Sequence, residues 1–75
     1  MAELPVLRPR EVVRALERAG FFVHHQTGSH AVLRHGVDPA LRVTVPMHSR
    51  DLKRGTLRAI VRSAGMSVEE FIALL

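Results

Sequence analysis

The sequence predicts an α+β domain of order α-β-β-β-α(-α), with helices packed on one face of a three-stranded antiparallel sheet. Three observations carry this. Two stretches, 8–19 and 53–64, space their apolar residues three and four apart, as a helix with one buried side requires. Between them lie three runs of strand character, two joined across Thr27-Gly28-Ser29 and one alternating Leu41, Val43 and Val45 with Arg42 and Thr44. Ser67 and Glu70 then form an S-x-x-E pair that opens a short last helix carrying Phe71, Ile72 and Leu75.

Each element has a local reason. Pro9 suits a first helical turn, where its missing N–H would have no partner anyway. Val12, Ala15, Leu16 and Ala19 make the buried face, Arg10, Arg14 and Arg18 the polar one, and Gly20 supplies a left-handed stop. The run 21–26 pairs with 30–34 as a hairpin. Alternation turns Ala31 and Leu33 toward the helices and leaves His30 and Arg34 projecting together from the opposite face, with Val32 between them. By the same rule His24 and His25 are expected on opposite faces. Residues 35–39 form a second turn, and the third strand, 41–45, ends at Pro46. Ser49 marks the turn into the helix 53–64, whose buried stripe is Leu57, Ile60, Val61 and Ala64. Arg54, Arg58 and Arg62 repeat the four-residue basic spacing of the first helix, and Gly65 stops this one too.

Size and composition bound what such a domain can do. Seventy-five residues are expected to form a single domain, 1–75, with 1–7 as an N-terminal extension. A chain this small buries only about 60% of its unfolded surface, so an active site must be shallow or completed by a large ligand or partner. The formal charge is +4, and ten of the eleven cations are arginine. Arginine forks grip phosphates with two parallel hydrogen bonds, which favours a nucleic-acid partner. A solvated basic surface fits that charge equally well. With no cysteine, disulfides and thiolate zinc sites are excluded. There is no secretory pattern at the N-terminus and no apolar run long enough to cross a bilayer. A cytoplasmic protein with no membrane association is expected.

Among groups able to do chemistry, histidine leads. The five histidines, His24, His25, His30, His35 and His48, show no dedicated ligand spacing, so no metal and no cofactor is implied. His30 opens a strand directly after a turn, and imidazole exchanges protons near cellular pH. RNA brings its own nucleophile, the ribose 2′-OH, so a histidine beside arginines suffices for cleavage without a metal. A strand-end histidine that merely hydrogen-bonds at the surface is the competing reading, and Arg34 on the same face shifts the balance only modestly. Ser29 lacks the elbow and oriented acid of a serine hydrolase, and its side chain is expected to diverge from that of His30. It reads as a turn residue that closes the loop or contacts phosphate. Gly28 is expected to supply positive φ and close approach to a ligand. His48 is a candidate second proton-transfer group if folding brings it near His30. Arg50, Lys53, Arg54 and Arg58 make the densest basic cluster and suit phosphate contact.

Five separated motifs occur in order: Ala19-Gly20-Phe21, Gln26-Thr27-Gly28-Ser29-His30, Val43-Thr44-Val45-Pro46-Met47-His48-Ser49, Leu52-Lys53-Arg54-Gly55-Thr56-Leu57 and Ala64-Gly65-Met66-Ser67. Together they resemble the HicA toxins of type II toxin–antitoxin systems, over about residues 8–75. The resemblance implies a fold like a double-stranded RNA-binding domain and the activity of an mRNA interferase, a ribonuclease acting on mRNA independently of the ribosome. It places the family's catalytic histidine on His30, within Gly28-Ser29-His30. It also implies a HicB-like antitoxin that covers the His30 surface. One departure is visible: the position before Gln26-Thr27, often basic in similar sequences, is His25. The expected function is therefore a metal-independent ribonuclease in which His30 moves the proton while Arg34 and the Arg50, Lys53, Arg54 and Arg58 cluster hold RNA. A non-catalytic RNA-binding module of the same fold is the alternative, and an interaction protein that recruits a partner through its open sheet face is a third.

Overall fold

The structure is a computed structural model that describes residues 3–75. Its elements run α1 (Pro9–Arg18), β1 (Phe21–Gln26), β2 (His30–His35), β3 (Arg42–Pro46), α2 (Arg54–Ser63) and α3 (Val68–Ile72). The three strands form one antiparallel sheet in the order β1-β2-β3. This is the α+β architecture with an open sheet face that the sequence predicts.

The helices start and stop where local chemistry allows. Pro9 opens α1, and the Glu11 carboxylate accepts from the Arg8 N–H at 3.0 Å, satisfying a donor the helix cannot. Gly20 and Gly65 follow the two long helices at φ +98 and +73, conformations that favour glycine. A side chain at Gly20 would also strike the His35 ring, whose Nε2 lies 2.9 Å from the would-be Cβ. That ring is a structural link. Its Nε2–H donates to the Ala19 carbonyl at 3.0 Å, and its Nδ1 accepts from the N–H groups of Val37 and Asp38. The pattern needs neutral imidazole in the Nε2–H form.

Between the layers, Phe21, Ala31, Leu33, Val43 and Val45 of the sheet meet Val12, Ala15 and Leu16 of α1, Leu57, Ile60 and Val61 of α2, and Phe71 of α3. The segment before α1 contributes as well. Leu4 and Leu7 are buried in the same core, and the Leu7 carbonyl accepts from the Leu52 N–H at 2.8 Å. Ser49 does not cap α2: the N-cap is Lys53, without a side-chain hydrogen bond.

One strand breaks its alternation. Val23 pairs with Leu33 and His25 with Val32, so His24 is an inserted bulge residue. The His24 ring lies 6.4 Å from that of Phe22, which pairs with Arg34 on the open face. His25, paired with Val32, belongs to that face too. The expectation of opposite faces for His24 and His25 therefore fails, because the extra residue shifts the period by one.

Ser67 and Glu70 close the box that opens α3: Glu70 N–H donates to Ser67 Oγ at 3.1 Å, and Ser67 N–H to Glu70 Oε1 at 2.8 Å. The backbone hydrogen bond from Ser67, then the bond to its hydroxyl, hold the Glu70 carboxyl below its ordinary pKa. A carboxylate depressed in the native state stabilises fully above its unfolded pKa, and the contribution fades as pH falls through the native value. The α3 amides should therefore lose hydrogen-exchange protection on acidification below the usual carboxylate range. Glu70→Gln should lower that protection at neutral pH and flatten its acid dependence. An unchanged acid dependence in the variant would assign it to another group.

Candidate nucleic-acid interface

The open face of the sheet is assembled from alternate residues of three strands. In register, His30 lies opposite Pro46, Val32 opposite Thr44, and Arg34 opposite Arg42, with Phe22 beside Arg34. Two arginines directly across a strand pair repel one another. No carboxylate belongs to these positions, so nothing on the face neutralises them. Arg34 is half-buried and its Nε is fully covered without a hydrogen-bond partner. Phe22, 47% exposed, adds an apolar element to the same surface.

Helix α2 runs beside β3 and turns the edge of this face into a groove. Its sheet wall carries His30, Arg42, Thr44 and Pro46, and its helix wall Thr56, Ala59, Ile60 and Ser63, around a space of about 470 Å³. The groove is open, as the size of the chain requires. His30 is exposed at its side, with Nδ1 3.0 Å from Ser29 Oγ. The two side chains do not diverge as expected, because the turn brings them together. Thr27 Oγ1 accepts from the N–H groups of both Ser29 and His30, at 3.3 and 3.1 Å, and curls the chain.

Gly28 does not have the positive φ expected of it, and a Cβ there would meet nothing within 4 Å. The free protein therefore imposes no backbone requirement for glycine at 28. Its bare surface leaves the turn unobstructed beside His30.

The basic residues divide into two groups. Arg50 and Lys53 border a second depression that shares Pro46 and Thr56 with the His30 groove, so both stand at its extension. Arg34 lies on the same sheet face, opposite Arg42. Arg54 and Arg58 are elsewhere. Arg54 borders a small cleft against Leu4, Pro5 and Val6. Arg58 follows Thr56 by two positions, roughly 160° around the helix at about 100° per residue, and so faces away from the groove. His48 borders the second depression but not the groove itself, and its Nδ1 accepts from the Arg50 N–H at 3.2 Å. It and His30 occupy adjoining hollows without a hydrogen bond between them.

Sequence reasoning singled out none of Arg42, Thr44, Thr56 and Ser63 as site residues. Arg42 and Thr44 lay on the polar side of the third strand, but only the β2–β3 register sets them beside His30. Thr56 and Ser63 are seven apart, two turns on one helix face. Asp51 is the single acid bordering the second depression among the described residues. Its ion pair with Arg8, at 3.7 Å, is exposed on both sides and adds little stability.

What the arrangement can do chemically is bounded by these groups. It offers one exposed imidazole with a fixed Nδ1, an arginine in the same groove, hydroxyls on both walls, and further cations along the extension. That suits an extended polyanion with a proton to be moved. No helix among the described residues is long and apolar enough to cross a membrane. In comparisons with known proteins, no curated protein matches the chain significantly. The family model for the HicA toxin of bacterial toxin–antitoxin systems matches residues 9–66, from the first residue of α1 to the residue after Gly65. The chain therefore belongs to the HicA toxin family.

Proposed function

We propose that this toxin is a metal-independent endoribonuclease acting on mRNA in the cytoplasm, with His30 as its proton-transfer group and a HicB-like antitoxin covering the His30 face when the toxin is silent. The observation that carries the reading is the placement of an exposed His30 imidazole in one groove with Arg42. In cleavage, the 2′-OH attacks the adjacent phosphorus as the bond to the 5′ oxygen breaks. His30 Nε2 takes the 2′ proton, or in its charged form gives one to the departing oxygen. Arg42 faces the non-bridging oxygens where charge builds. Arg34, Arg50 and Lys53 hold neighbouring phosphates. The exposed Phe22 and half-buried Val32, set among these cations, give an antitoxin apolar and acidic contacts to make on the same face.

The deciding experiment compares wild type and His30→Ala on a long single-stranded RNA with excess EDTA. Cleavage by wild type alone supports the reading. Cleavage by neither, with RNA still bound, supports a binding module instead.

Arg42→Ala gives a separate prediction. On a His30→Ala background, which binds without cutting, it should weaken RNA binding and lower the salt slope by about 0.7, the value for one single-strand phosphate contact. The free protein should melt no earlier than its parent, since removing one arginine relieves the repulsion from Arg34. Fluorescence anisotropy across a salt series reads the first effect and thermal unfolding the second. An unchanged slope would remove Arg42 from the phosphate path.

A further inference from the structure

We infer that Ser29 is a positioning residue for His30, fixing the imidazole through Nδ1 so that Nε2 is the atom presented to RNA. The inference rests on the proposed ribonuclease reading, but its geometry stands apart from it.

Ser29 Oγ lies 3.0 Å from His30 Nδ1. A contact between adjacent residues needs a curled chain, and Thr27 provides it. Its Oγ1 receives two backbone N–H groups, from Ser29 and His30, and stands 3.4 Å from the His30 carbonyl oxygen, to which its hydroxyl can donate. The Thr27 N–H closes the turn on the same carbonyl at 2.9 Å. Across the sheet, the Ser29 carbonyl accepts from the Met47 N–H at 2.7 Å, which pins the turn to the end of β3. Thr27 Oγ1 also lies 3.5 Å from Ser29 Oγ, at the limit of a hydrogen bond, so the imidazole at 3.0 Å is the nearer partner of the Ser29 hydroxyl.

A hydroxyl suits this post because it works in both directions. It donates to Nδ1 when that nitrogen is bare and accepts from it when it carries hydrogen. The contact therefore survives each change of charge on His30. A carboxylate could only accept and a lysine could only donate. Proton exchange with RNA then takes place at Nε2, while Nδ1 remains tied to the turn. Ser29 forms no bond to substrate and acts only through the ring.

The test uses full-length wild type, Ser29→Ala and Ser29→Thr, with ¹⁵N-labelled histidine. In Ser29→Ala the Nδ1 resonance of His30 should move and its tautomer ratio change, while Ser29→Thr keeps both near wild type. RNA cleavage by Ser29→Ala should lose roughly tenfold in kcat, less than the about 10² to 10⁴-fold of removing the proton-transfer group itself, with KM little changed and the pH–rate profile displaced. Ser29→Thr should restore both. A wild-type Nδ1 resonance in Ser29→Ala, or a wild-type kcat and pH profile, would overturn the inference. If His30→Ala cut RNA as well as wild type, the ribonuclease reading would fall, and the resonances would still decide whether Ser29 holds the ring.

Discussion

Replacing His30 with alanine should abolish RNA cleavage while leaving the domain folded and still able to bind RNA. Loss of general acid–base help costs roughly 10² to 10⁴-fold in rate. The residual rate should lie near the floor, because no second histidine stands in the same groove. Stability should barely change. His30 is exposed, its side chain bonds only to Ser29 Oγ, and its backbone bonds to Thr27 in the turn persist in alanine. His35 offers the control. It is engaged by three backbone groups around one ring, so His35→Ala should destabilise the fold and reduce cleavage only as the folded fraction falls. Rates measured beside urea unfolding curves separate the cases. A His30→Ala protein that unfolds would make His30 structural, and cleavage retained by a folded His30→Ala would move the chemistry elsewhere.

The contrast between these histidines marks how far the sequence could be read. Helix and strand periods were legible because each depends on neighbours a few residues away: Pro9, Gly20, Gly65 and the Ser67–Glu70 pair all act where expected. The open face with His30 and Arg34 was legible from alternation alone. What failed needed information from further off. Nothing in Phe21 to Gln26 signals a bulge, since the extra residue is defined only against Leu33 and Val32 on the partner strand. The basic stripe of α2 was visible, but which of its sides meets the groove depends on how the helix lies along β3. Arg54 and Arg58 consequently point elsewhere, whereas Thr56 and Ser63 line it. Leu4 and Leu7 carry no period at all, and only the folded core reveals their place. The Ser29–His30 contact was hidden for a related reason. An extended chain separates adjacent side chains, and it is Thr27 that bends this one.

Phe71→Ala should cost about 3–5 kcal/mol, the range for removing a fully buried phenylalanine. Phe71 is 0% exposed and heads the fully buried side chains by size. It stands on α3, beyond the matched residues 9–66, so the core extends past the matched stretch. A domain this small has about 5–15 kcal/mol in all and sits toward the lower end. The variant should therefore be substantially unfolded at ordinary growth temperatures. Phe71→Leu keeps most of the volume and should lose far less. Urea unfolding with an unchanged m-value measures both, and a loss under about 1 kcal/mol for Phe71→Ala would mean that the site collapses around the cavity. The consequence reaches the groove. Helix α3 packs on α2, α2 forms one groove wall, and the Arg18 guanidinium ties α1 to the Leu74 carbonyl at 2.8 Å. Cleavage by Phe71→Ala should thus fall with the folded fraction and recover on cooling toward the temperature of maximum stability, whereas His30→Ala should stay inactive at every temperature. That difference separates a residue that builds the groove from one that works in it.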